Sequence, residues 1–343
     1  MINSRKLPFE GENVLSISLL KDIYNLNESN FIELTENILL RKGTESDLNF
    51  LRNHIGLFHD NSNNEWINYF ENEIIPNKHY YNGKTKKLSE KDFRYAILQS
   101  NKFIGFEEEV ALKISDLDIS ILIQKGITLD EGGNVNDNSE IAYIKDYLNS
   151  HNQLIDYKYK LGLYGSKKYL RKSPNIEHLR DFNETLKNIE IISNNKLEYL
   201  NIYKALQDFM DIDKISNEST FKLIGYFSII ESLITHNPKL DYGKSISKQL
   251  SNKIELLNNN FFEDFNFRDY FKGSNSNTLD TIIYKLYNYR SDIAHGNIPK
   301  FEKELVIIQN NINNVIPFME KLLRMILKLS VSKPNLINDL KKC

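Results

Sequence analysis

The chain has almost no cysteine: Cys343 stands alone, so no internal disulfide can form. The opening MINSRKLPFEGEN lacks the apolar stretch of a secretory signal, and a reducing cytoplasm is the expected location. No run of about 18 apolar residues occurs, so no membrane-spanning helix is expected. P-loop, GxGxxG and GxSxG patterns are missing, and with them the sequence signatures of phosphate-cradling loops and serine hydrolases. His54 and His59 have neither cysteines nor a carboxylate array beside them, so neither a metal site nor a cofactor is expected. Net charge is also small, at −2. Residues 217–343 carry 17 Lys+Arg against 13 Asp+Glu, a balance of +4, which leaves −6 for the rest. Such a bias is compatible with phosphate contacts but falls far short of a basic stripe.

What is present is a composition of 41% hydrophobic and 26% charged residues, that of a globular chain with room for one large or two ordinary domains. The dominant pattern is the 3.6-residue period, which predicts an all-α, mainly helical protein. One helix is expected over 28–42 (Phe31, Leu34, Ile38), closing at Gly43. A second opens at Thr44, whose spacing to Asp47 resembles a capping box, and runs through Leu48, Leu51, Ile55 and Phe58. Asn64 caps a short helix that Pro76 stops, and Ser89 precedes another with Phe93, Ala96, Ile97 and Ser100. Glu107, Glu108 and Glu109 suit a helix amino terminus, and Val110, Ile114, Leu117 and Ile121 continue that stripe to Gly126. Residues 140–164 read as one long helix from Ser139 to Gly165. Alternating residues predict two short strands, at Leu15, Ile17 and Leu19 and near 127–129, too few for a sheet-based domain. A polar loop fills 130–139, and SKKYLRKSPN at 166–175 reads as a linker. The expected layout is a mostly helical N-terminal domain over 1–172, of sensor or regulatory type, and a helical bundle over 173–343 with its core at about 217–330.

The second half is more regular. Phe221, Ile224, Phe227, Ser228, Ile230, Glu231 and Ile234 mark a helix near 218–236 that Asn237-Pro238 closes. Ile246, Leu250, Ile254 and Leu257 mark one near 244–258, and an aromatic loop follows. Ile282, Leu286, Tyr289 and Ile293 form a tight stripe over 278–294. The last helix spans 303–330, where Pro317 must kink or restart it. Four such helices make a bundle.

Tyr289-Arg290-Ser291-Asp292-Ile293-Ala294-His295-Gly296 sits where the third of these helices ends. It supplies a fixed cation for a phosphate and a group that trades protons near neutral pH, a pairing suited to RNA cleavage without a metal. The bare Arg-x4–6-His pattern is not specific, since Arg52/His59 and Arg171/His178 also fit it. Pro174 interrupts the latter, and seven helical residues separate the former by about 10 Å. On an ideal helix, Arg290 and His295 lie about 140° apart. A shared site therefore needs either unwinding near Ala294 or groups from two subunits. The alternative is a helix-end histidine, with Arg290 paired to Asp292 or a neighbour.

From about 219 to 297 the chain resembles the HEPN superfamily, specifically its Apea-like branch. The matching segments are YFSIIESLIT at 226–235, KSISKQLSNKIELL at 244–257 and LDTIIYKLYNYRSDIAHGN at 279–297. The resemblance implies a helical bundle that dimerises and often cuts RNA, with Arg290 and His295 as the catalytic pair, frequently contributed by both subunits. Many toxin-like members have Asn directly after the arginine, where this chain has Ser291, whose hydroxyl can still donate to a phosphate. Glu231 matches an acidic position whose role is positioning Arg290 or supporting catalysis, and Asp292 is a further supporting candidate.

The expected function is a defence (abortive infection) or toxin-like endoribonuclease. Its partners would be RNA, a second copy of the chain, and a phage-derived trigger or a cognate antitoxin. The alternative is a non-catalytic dimerisation, sensor or nucleic-acid-binding module. Lys167, Lys168, Arg171 and Lys172, beside Tyr164 and Tyr169, offer a basic-aromatic cluster for single-stranded nucleic acid, although solvated linkers often look the same. Tyr284, Tyr287 and Tyr289 offer faces for stacking on bases, but packing is their expected use.

Overall fold

The computed structural model describes residues 16–20, 31–43, 96–117, 119–125, 128–129, 135–136, 142–144, 179, 181–215, 219–236, 245–262, 265–271, 278–297, 305, 308 and 314–342. Helix predominates among them, and none of these helices is long and apolar enough to cross a membrane. The chain divides into two compact units, Met1–Gly165 with Leu170–Asn183, and Ser166–Tyr169 with Glu184–Cys343.

The first unit departs from the helical expectation. Its described residues form β1 (Ser16–Leu20), β2 (Phe31–Glu33), β3 (Ile38–Lys42), β4 (Ala96–Ser100), α1 (Phe106–Ile114), β5 (Ile119–Lys125), β6 (Thr128–Leu129), β7 (Val135–Asn136) and β8 (Ala142–Ile144). Six strands join in one sheet of order β2-β3-β4-β1-β5-β8, every neighbouring pair antiparallel, and β6 and β7 form a separate ribbon. Among the described residues of 1–172, the expectation of at most a few short strands is thus corrected to a six-stranded sheet, a ribbon and one helix.

The physical reason lies in the apolar runs. Ile38, Leu39 and Leu40 on β3 and Ala96, Ile97 and Leu98 on β4 are consecutive buried residues, and a short run of that kind has no period to separate strand from helix. The stripe Phe31–Leu34–Ile38 spans a hairpin whose Thr35 Oγ1 accepts from the Asn37 N–H, turning the chain at Glu36–Asn37. Leu40 then stands opposite Leu98, a pairing across 58 positions that no local pattern records. The stripe from Val110 to Ile121 breaks in the middle: α1 stops at Ile114, Asp116 turns left-handed at φ 60°, and β5 begins. The long helix expected over 140–164 is contradicted where it is described, since Ala142–Ile144 is a strand. The strand expected at Leu15–Leu19 is present as β1, and that at 127–129 as β6. The helices expected from Thr44 and Asn64 lie outside the described residues, as do Arg52/His59, Arg171/His178 and the 166–175 linker.

The second unit holds α2 (Phe182–Asn194) from Glu184 onward, α3 (Leu200–Asp211), α4 (Thr220–Ile234), α5 (Ile246–Asn258), α6 (Leu279–Ala294), α7 (Val315–Ser332) and α8 (Pro334–Lys342). Three of the four expected helices stand within about two residues of their predicted bounds. The fourth is described from Val315, which places Pro317 in its first turn, where a missing N–H costs nothing. Helices α2, α3 and α8 add to the four expected. Helix α4 is the hub, touching α3, α5, α6, α7 and α8. Its Leu223, Tyr226, Phe227, Ile229, Ile230, Leu233 and Ile234 are buried. Gly225 permits a close approach, because a methyl group there would lie 2.8 Å from Ile212 Cδ1.

Phe227 is fully buried and meets Tyr287 of α6 edge-on, centroids 5.6 Å apart. Phe227→Ala is expected to lower unfolding free energy by about 3–5 kcal/mol, measured by urea denaturation, because the cavity adds to the lost transfer energy.

Candidate functional site

The candidate site is built where α4 and α6 touch. Ser219 caps α4, its hydroxyl accepting from the Phe221 N–H, and the helix then presents Ser228 and Glu231 one turn apart. Helix α6 buries Ile282, Ile283 and Leu286. Tyr287, Tyr289, Arg290 and Ile293 are all half-buried, so the buried stripe fades over the last turns of the helix. From the flank of that stripe Arg290 reaches α4.

Arg290 Nη2 lies 3.1 Å from Glu231 Oε1 and 3.4 Å from Ser228 Oγ. Its guanidinium carbon stands 5.4 Å from the centroid of the Tyr287 ring, in cation–π range, and Phe227 braces that ring from the other helix. The pair is enclosed but reachable, with side-chain exposures of 15% for Arg290 and 21% for Glu231. Two buried polar atoms remain unsatisfied: Arg290 Nε and Glu231 Oε1 have no aligned hydrogen bond, so the 3.1 Å approach is an ion-pair contact off the N–H axis. Unsatisfied buried groups are rare and costly, and solvent reaches neither of these two atoms.

Burial pushes the Glu231 carboxyl above the ordinary carboxylate range, and the Arg290 charge pulls it part of the way back. Tyr287 is raised above the usual phenol value, first by burial and then by the Glu231 charge, with Arg290 acting in the opposite sense.

His295 occupies the C-cap of α6 and is exposed. The helix does not unwind before it, since the His295 N–H donates to Ser291 O at 3.0 Å. Gly296, at φ 76°, takes the left-handed position that its sequence place predicts. The Gly296 N–H reaches Ile293 O and the Asn297 N–H reaches Asp292 O, closing a Schellman motif. Asp292 belongs to this cap, its carboxylate also accepting from Asn297 Nδ2 at 3.2 Å. The alternative Arg290–Asp292 pair is therefore corrected. Residues two apart on a helix face different ways, and Arg290 pairs across to Glu231. Ser291 is half-buried and gives its carbonyl to the same cap.

Arg290 and Glu231 are thus brought together, while no hydrogen bond or ion pair among the described residues joins either to His295. Ser228 is a functional candidate beyond the expected set, and Tyr287 takes a place against the guanidinium that was not expected of it. The signal for them was their three-residue spacing from Glu231 and Arg290. Lys167, Lys168, Arg171 and Lys172 lie outside the described residues. Among the described residues no group of three or more His, Cys, Asp and Glu is placed to hold a metal ion.

The arrangement offers a fixed, partly exposed guanidinium flanked by an exposed hydroxyl, a pairing of donors suited to an oxyanion. Comparison of the chain with protein-family models, with curated proteins and with solved structures gave no match.

Proposed function

We infer that the protein is a metal-independent endoribonuclease of the HEPN type, acting as a homodimer in defence or as a toxin-like effector. The observation that carries this reading is the Arg290 guanidinium, anchored by Glu231 and Tyr287 and set beside the exposed Ser228 hydroxyl. Arg290 grips the scissile phosphodiester and stabilises charge in the transition state. The ribose 2′-OH attacks phosphorus as its proton passes to a base, the P–O5′ bond breaks, and the departing oxygen takes a proton. His295 serves one of these transfers, a role worth about 10²–10⁴-fold. The products carry 2′,3′-cyclic phosphate and 5′-OH ends.

On an intact helix Arg290 and His295 of one chain stand about 140° apart, which supports a site shared by two chains. Purified protein incubated with total RNA in EDTA is expected to cut it and leave those ends. Intact RNA after the cognate trigger is supplied contradicts the reading. The Arg290–Glu231 contact also favours a second reading, a non-catalytic module in which the pair merely ties α4 to α6.

A further inference from the structure

Resting on that reading, we propose that Glu231 takes up one proton from solvent when a phosphodiester occupies Arg290, so that substrate binding and protonation of this carboxylate are a single event. Arg290 Nη2 is shared between Glu231 Oε1 at 3.1 Å and Ser228 Oγ at 3.4 Å, and Ser228 is exposed. The Ser228 hydroxyl donates to Ile224 O at 2.9 Å, so its oxygen turns a lone pair to the guanidinium. An anion arriving from solvent meets the guanidinium on this open side, at Nη2 beside the exposed Ser228 hydroxyl.

Two anions then share one cation. Like charges held on one cation disfavour joint ionisation, which drives one of the two toward its neutral form. A phosphodiester is too weak a base to accept the proton near neutral pH, so the carboxylate does. Its C–O⁻ becomes C–OH, and the incoming negative charge is balanced by one proton from water. Among the described residues no other ionic group is placed to substitute. From α6 only Arg290 and Tyr287 face Glu231. Lys253 of α5 donates to Ile234 O and Leu340 O, and Lys341 of α8 to Ser232 O. On α7, Glu320 and Arg324 pair with each other, Arg324 lying over Phe209 of α3, and Lys222 of α4 itself reaches Asp213. His236, just beyond α4, buries Nδ1 without a partner and makes no ionic contact with Glu231.

The experiment is calorimetric titration of the full chain with a 2′-O-methyl RNA oligonucleotide, which binds but lacks the attacking hydroxyl. It is repeated between pH 5 and 8 in buffers of differing ionisation enthalpy. The wild type is expected to take up as much as one proton per site, its affinity falling at most about tenfold per pH unit as pH rises through the window. Glu231→Gln should abolish the uptake and flatten that profile, and Glu231→Asp should restore both. His295→Asn should leave the uptake in place, which separates it from protonation of the imidazole. Uptake that survives in Glu231→Gln, or is absent from the wild type at every pH, overturns the proposal. If RNA is still cleaved in an Arg290-dependent way in that event, the ribonuclease reading stands without it. Binding that ignores Arg290→Ala overturns both.

Discussion

Arg290→Ala is expected to lower kcat/KM on RNA by at least about 10²-fold, the usual loss when a preorganised charge-stabilising donor is removed. The substitution acts twice. It takes the cation from the phosphate, and it leaves Glu231 as a half-buried carboxylate without its counter-ion, so thermal stability falls as well. Arg290→Lys separates the two effects. An ammonium keeps the charge beside Glu231 but has no planar fork, so it should preserve most of the stability while leaving cleavage impaired. Steady-state cleavage and thermal melts of the three proteins decide the matter. Cleavage at the wild-type rate by Arg290→Ala would remove the arginine from the mechanism.

The second large effect concerns His295. His295→Ala is expected to cost about 10²–10⁴-fold in cleavage. Its exposed imidazole sits at a cap held by main-chain bonds from Gly296 and Asn297, so the melting temperature should hardly move. A variant as unstable as Arg290→Ala would mean the side chain supports the fold instead.

How much of this was legible depended on whether the controlling interactions are local. Helices α4, α5 and α6 were readable because caps and stripes agree: Ser219 and Ser245 accept from the first turns of their helices, and Gly296 ends α6. Helices α2 and α3 carry equally regular buried positions, Leu186, Ile189 and Ile192, then Ile202, Leu206 and Phe209, so their omission was not forced by the sequence. The sheet was different. Ile38–Leu40 and Ala96–Leu98 acquire their meaning from each other, across a separation that periodicity cannot bridge.

The site divides the same way. The left-handed glycine after His295 follows from the sequence, and Glu231 was already a candidate partner. The contact itself was hidden, because Arg290 and Glu231 lie 59 positions apart and no local pattern joins them. Tyr287, packed edge-on against Phe227, supplies the guanidinium's other neighbour.

The central claim is that the Arg290 of one chain works with the His295 of another. Equal amounts of Arg290→Ala and His295→Ala chains, unfolded together and refolded, test it directly. In a symmetric dimer whose sites draw one group from each chain, half the dimers are mixed and each mixed dimer regains one intact site. RNA cleavage should then return to about a quarter of the wild-type rate. Activity no higher than that of the separate variants, with mixed dimers shown to be present, would contradict the account.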